Sequence, residues 1–115
     1  MNEINLSVFN TVGNAYCVDA GDGEKVYHLL RKALQEGKKV KLSFQNVEML
    51  TSAFLNTAFG QLYRDFDAEN VKNSITIAHL SAEDRVLLKR VISTARLYYQ
   101  DPERMENSIR EVLGE

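Results

Sequence analysis

Apolar and polar residues alternate from Ile4 to Phe9, with Ile4, Leu6 and Val8 on one side and Asn5, Ser7 and Phe9 on the other. That period of two predicts a half-buried strand. Thr-Val-Gly-Asn at 11–14 reads as a turn and 15–18 as a second short strand, so the chain is expected to open with a β-hairpin. The spacing then changes. Val26, Leu29, Leu30, Ala33 and Leu34 recur with helical period, behind an acidic loop that begins at Asp19 and ahead of Gly37, which supplies a stop. A third strand is expected over 38–44, followed by a turn over 45–50. The next helix opens at Thr51-Ser52 and places Phe54, Leu55, Ala58, Phe59, Leu62 and Phe66 on one stripe, with Asn56, Thr57, Gln61 and Arg64 opposite. A fourth strand is expected over 73–78. Ser81, with Glu83 and Asp84 behind it, starts a helix carrying Leu87, Leu88, Val91, Ile92 and Ala95 inward. Asp101-Pro102 should end that helix and begin a last one, with Met105, Ile109, Val112 and Leu113 on its inner face.

The order β-β-α-β-α-β-α-α implies an α/β fold in which helical crossovers join parallel strands. Lys39, Lys41 and Ser43 alternate with Val40, Leu42 and Phe44, and Ser74 and Thr76 with Ile75 and Ile77. Parallel strands covered on both faces are almost continuously apolar. The alternation therefore predicts a mixed, mainly parallel four-stranded sheet with helices on one face and the other face open to water or a partner.

At 115 residues the chain has room for one core, and a single domain over 1–115 is expected. A formal net charge of −2 gives no global attraction to nucleic acid or anionic lipid. The first residues lack the basic and apolar regions of a signal peptide, and no apolar run approaches the ~20 residues of a membrane helix, so a cytoplasmic location is the expectation. Cys17, the one cysteine, lies among strand residues and reads as a small buried side chain.

Several candidate chemistries fail on spacing. Asp19, Asp22 and Glu24 lack the alternating oxygen ligands of a calcium loop and read better as helix caps. Neither phosphate-loop pattern is present, since Gly21-Asp-Gly has no third glycine in place. His28, His79 and Cys17 show no spacing that suggests a metal site or a nucleophile–base pair. Arg85, Lys89, Arg90 and Arg96 make one helix basic ahead of Tyr98 and Tyr99, but with Glu83 and Asp84 nearby they read as a solvated face rather than a nucleic-acid patch. Gly60, inside a helical stripe, reads as a point of close packing. No catalytic group, metal or cofactor is expected.

The remaining candidate is the hydroxyl pair Thr51 and Ser52, set where a chain leaving a strand enters a helix. Such a hydroxyl can cap the free N–H groups of the first turn, worth about 1 kcal/mol. It can also carry a phosphate beside the positive helix end. The residues alone leave both readings open.

Three stretches, Asp22-Gly-Glu-Lys-Val, Val40-Lys-Leu-Ser-Phe-Gln-Asn-Val and Leu50-Thr-Ser-Ala-Phe-Leu, give the chain a recognisable cast over roughly residues 20–100. In this layout it resembles the STAS fold of sulphate transporters and bacterial anti-sigma factor antagonists, and within it the STAS-like domains of unknown function. Leu80-Ser-Ala-Glu-Asp is similar to the family's Ser-Pro loop. In the antagonists the matching turn reads Asp-Ser-Ser-Gly-Leu, and a partner kinase phosphorylates its first serine, which falls on Ser52. Here the family's Asp is Thr51, which keeps a capping oxygen without the charge. The family's Gly is Phe54, which puts bulk where a partner's backbone would approach.

The resemblance implies a non-catalytic regulatory module whose partner is a histidine-kinase-like ATPase acting as serine kinase or anti-sigma factor. Ser52, or Thr51 in its place, would accept the phosphate, and Thr51, Ser52, Ala53, Phe54 and Asn56 would meet the partner. No nucleic acid or membrane partner is expected. A constitutive docking subunit without phosphorylation, and a small-ligand or nucleotide-binding module, remain as alternatives.

Overall fold

The structure is a computed structural model that describes residues 3–100. The expected final helix over 102–113 lies outside the described residues. Strand β1 (Glu3–Ser7) runs into a short helix α1 (Val8–Val12), and β2 (Tyr16–Cys17) leads to the long helix α2 (Ala20–Gln35). Strands β3 (Lys39–Ser43) and β4 (Met49–Leu50) follow. A helical run then comprises α3 (Ser52–Leu55), a wide π-turn (Asn56–Gly60) and α4 (Leu62–Asp65). Helix α5 (Ala68–Ser74), strand β5 (Ile75–Ala78) and helix α6 (Ala82–Gln100) complete the described chain.

All strand pairs are parallel. Strands β1, β3 and β5 form one sheet in that order, with Asn5, Lys41 and Thr76 side by side, while β2 and β4 form a separate two-stranded pair. The fold is α/β with parallel strands, but the expected four-stranded sheet divides into three strands and two. The opening hairpin does not form either. Ser7 ends β1 by capping α1: its Oγ accepts the Asn10 N–H at 3.1 Å, and the Thr11 hydroxyl donates back to the Ser7 carbonyl at 2.8 Å. Val8, fully buried, pins this turn into the core. The chain thus leaves the sheet before it could fold back, and Gly13, at φ +79°, closes the helix in the left-handed conformation. Asn73 and Ser74, expected in a strand, belong to α5, which buries Val71.

The three-stranded sheet has one covered and one bare face. Val40 and Leu42 are 1% exposed, whereas Glu3, Asn5, Lys39, Lys41 and Thr76 on the alternate positions are exposed. Helix α2 seals the core with Val26, Tyr27, Leu30, Ala33 and Leu34, the i, i+1, i+4, i+7, i+8 stripe of an amphipathic helix. Fully burying a side chain such as Leu30 stabilises the fold by about 1.5–3 kcal/mol. Asp19 caps the helix by accepting the Asp22 N–H at 2.8 Å. At the other end the Lys38 N–H reaches the Ala33 carbonyl at 2.9 Å around Gly37, which has φ +71°.

Phe54, Leu55, Ala58, Phe59, Leu62 and Tyr63 of the 52–65 helical run are all buried. Its π-turn adds a residue that keeps both flanking stripes facing inward. The Gln61 side-chain amide donates at 2.9 Å both to the Thr57 carbonyl at that turn and to Glu24 of α2. Ser81 caps α6 through the Asp84 N–H at 3.2 Å, and Leu88, Val91 and Ala95 face the core. A second polar tie joins α2 to α4. The buried Tyr27 hydroxyl donates to the Asp65 carboxylate and accepts from Arg64 at 3.1 Å, while Arg31 stands 4.0 Å from Asp65.

Candidate functional site

The helix that begins at Ser52 is held in place from two directions. On one side the β2–β4 pair delivers it: Cys17 lies opposite Leu50, and the Thr51 N–H donates to the Cys17 carbonyl at 3.3 Å. Thr51 itself is extended, at φ −125° and ψ 160°. Its hydroxyl donates to the Val18 carbonyl at 2.6 Å and accepts the Phe54 N–H at 3.3 Å. Both functions of that hydroxyl are therefore engaged in joining the helix start to β2. On the other side Gly23, buried in the first turn of α2, faces the same helix so closely that a Cβ there would lie 2.6 Å from the Phe54 carbonyl oxygen. The two helices share one entrance edge, since the parallel strands before them end side by side.

Ser52 is the first helical residue and is exposed, as are Ala53 and Asn56. Thr57 is half-buried and its hydroxyl donates to the Ala53 carbonyl at 3.1 Å. The pair Thr51 and Ser52 thus separates into a cap and a surface hydroxyl. Phe54 departs from the expectation. Its side chain is 0% exposed and packs into the core, so it is not part of a docking surface and adds no bulk there. The helical stripe forces this, because Phe54, Leu55, Ala58 and Leu62 share the inward face.

Two exposed apolar residues precede the helix starts, and no local spacing marks them. Tyr16 and Met49, each 51% exposed, are register partners across β2 and β4, immediately before the two helix starts. A cross-strand pair of this kind appears only when the strand pairing is known. Beneath it Cys17 is buried, and burial, with the nearby Asp22 carboxylate, pushes its thiol up to about 11. Such a thiol is protonated and inert at neutral pH.

The two histidines are separated by the fold. His28 pairs with Glu24 at 3.3 Å on the surface of α2. His79 follows β5, and its Nδ1 lies 3.0 Å from the Ser43 Oγ at the end of β3, a contact between residues 36 positions apart. Among the described residues no group of three His, Cys, Asp or Glu side chains is placed to hold a metal ion. No described helix is long and apolar enough to cross a membrane. Arg85, Lys89, Arg90 and Arg96 of α6 are all exposed.

The described residues thus form a parallel α/β domain with a surface hydroxyl at the start of the helix that follows the β2–β4 pair. The family described as "STAS-like domain of unknown function (DUF4325)" matches residues 22–85, from the first turn of α2 to the first turn of α6, and the chain belongs to that family. No curated protein and no solved structure matches the chain.

Proposed function

We propose that this chain is a non-catalytic regulatory module that docks a protein partner on the surface formed by Ser52, Ala53 and Asn56 together with Tyr16 and Met49. In this reading the partner is an ATP-binding kinase or anti-sigma factor of histidine-kinase-like fold, and Ser52 accepts a phosphate that weakens the complex. The supporting observation is the division of labour between adjacent hydroxyls: Thr51 is bound to Val18 and Phe54, while Ser52 is exposed at the first helical position. A phosphate there adds about −1.5 to −2 charges beside free N–H groups, which the domain tolerates. The same charge beside Tyr16 and Met49 opposes an apolar partner surface.

The test is affinity capture with the tagged chain, followed by measurement of the recovered partner's affinity for the unmodified protein, Ser52→Ala and Ser52→Asp. A switch predicts that Ser52→Asp binds at least about tenfold more weakly, a change of about 1.4 kcal/mol, with Ser52→Ala unchanged. Constitutive docking is the second reading, favoured by the exposed Tyr16–Met49 pair, which needs no phosphate to bind. It predicts equal affinity for all three proteins and a large loss for Met49→Asp.

A further inference from the structure

We propose that the polar depression at the carboxyl end of the three-stranded sheet is a binding site for a small phosphorylated polyol or sugar. Strands β1, β3 and β5 run parallel, so their carboxyl ends, at Ser7, Ser43 and Ala78, lie along one edge. Ligands of open parallel sheets sit beyond that edge, where the loops after successive strands converge. The depression there has a volume of about 750 Å³ and takes its walls from β1 and β3 and from the segments after all three strands: Asn5 and Asn10, Lys41 and Ser43, Asn46, and His79.

The chemistry of this lining selects the ligand. Among the described residues it holds an ammonium and an imidazole but no carboxylate, so its formal charge is positive on a chain whose net charge is −2. A phosphate monoester meets those two groups with charge-assisted hydrogen bonds. Apart from Leu6, the remaining walls are amides and hydroxyls, which suit a hydroxylated rather than an apolar remainder. Among the described residues no Phe, Tyr or Trp ring lines the depression, so a nucleobase finds no stacking surface there. The volume exceeds that of a bare phosphate ion and falls within the range of small-metabolite sites, roughly 300–1,000 Å³.

The imidazole is tied to the neighbouring strand. The Ser43 Oγ accepts the Gln45 N–H at 3.2 Å and lies 3.0 Å from His79 Nδ1, which ties the ring to the end of β3. With Nδ1 in that contact, Nε2 is the ring nitrogen left to meet an oxyanion. The backbone points the same way. Asn46 and His79, at φ +71° and +59°, are the non-glycine residues in the left-handed region among the described residues, and both line this depression. Backbone held in a sparsely populated conformation concentrates at sites of function.

The experiment is an NMR titration of the isotope-labelled full chain at low ionic strength with glycerol 3-phosphate, ribose 5-phosphate, AMP, inorganic phosphate and neutral glycerol. Saturable shifts of the Ser43, Gln45, Asn46 and His79 amides with the first two ligands are expected, with weaker binding of inorganic phosphate and none of glycerol. Lys41→Gln and His79→Asn, both at exposed positions, should each weaken binding about fivefold or more. Asparagine tolerates the left-handed backbone of position 79. Linear, unsaturable shifts, shifts confined to the Ser52 helix start, or unchanged affinity in both variants would overturn the site. AMP binding tenfold tighter than ribose 5-phosphate would overturn the assignment of ligand class.

Discussion

Gly23 in α2 lies against the backbone of Phe54, with room for a hydrogen but not for a methyl group: a Cβ would meet the Phe54 carbonyl oxygen at 2.6 Å and Thr57 Cβ at 2.9 Å. Neither obstacle is the end of a flexible side chain. Gly23→Ala must therefore push α2 away from the helix that carries Ser52, at a cost of about 1–3 kcal/mol. Gly60 is the contrast. It is buried, yet a Cβ there finds Ala95 Cβ at an ordinary 3.9 Å. Gly60→Ala should be neutral or stabilising by up to ~1 kcal/mol, because alanine is the better helix former. Urea unfolding of the two variants checks the pair, and equal losses would contradict the packing described.

Thr51 and Ser52 should respond very differently to truncation. Thr51→Ala removes a cap and a hydrogen bond to Val18, and should cost about 1–2 kcal/mol. Ser52→Ala should change stability by less than ~0.5 kcal/mol, as expected at an exposed position. The same denaturation measurement decides it, and a large loss at Ser52 would mean that its hydroxyl is structural.

Burial raises the Asp65 carboxyl, but hydrogen bonds from Arg64 and Tyr27 and the charges of Arg64 and Arg31 outweigh it and hold the group below its ordinary value. A carboxyl depressed in the folded state contributes stability that is present above the unfolded pKa, about 3.9, and is lost as pH falls through the folded value. The stability difference between the natural protein and Asp65→Asn should thus be constant from about pH 5 to 7 and shrink below about pH 4. A difference that persists undiminished at pH 2.5 would rule out the link.

Cys17, with its thiol pushed up to about 11, is thiolate only to about one part in a thousand at pH 8. Labelling by an aromatic disulfide reagent should be limited by unfolding, and should become fast in denaturing urea. Native labelling at the unfolded rate would show that Cys17 is accessible.

The sequence exposed those features that local pattern determines. The stripe of α2, the Asp19 and Ser81 caps, the Gly37 stop and strand β3 all follow from spacings within a few residues, and appear where expected. Strand partners are set elsewhere. Residues 4–9 read as one strand because Val8 continues the alternation of Ile4 and Leu6, yet Ser7 caps a helix and Val8 turns into the core. Tyr16–Cys17 pairs with residues 33 positions away, a choice no hairpin signal encodes. The π-turn and the seven-residue α5 likewise depend on packing more than on propensity. The helix start was legible at the candidate site, but the inward turn of Phe54, the Tyr16–Met49 pair and the Ser43–His79 contact appear only after the chain has folded.

The most direct test of the proposed switch is to incubate the protein with the ATP-binding partner recovered on it, Mg²⁺ and ATP, and to map phosphate by mass spectrometry across residues 50–56. Phosphate on Ser52, abolished by Ser52→Ala and accompanied by release of the partner, is the predicted result. A segment that stays unmodified while the complex forms and dissociates normally, or phosphate carried by Thr51, would contradict it.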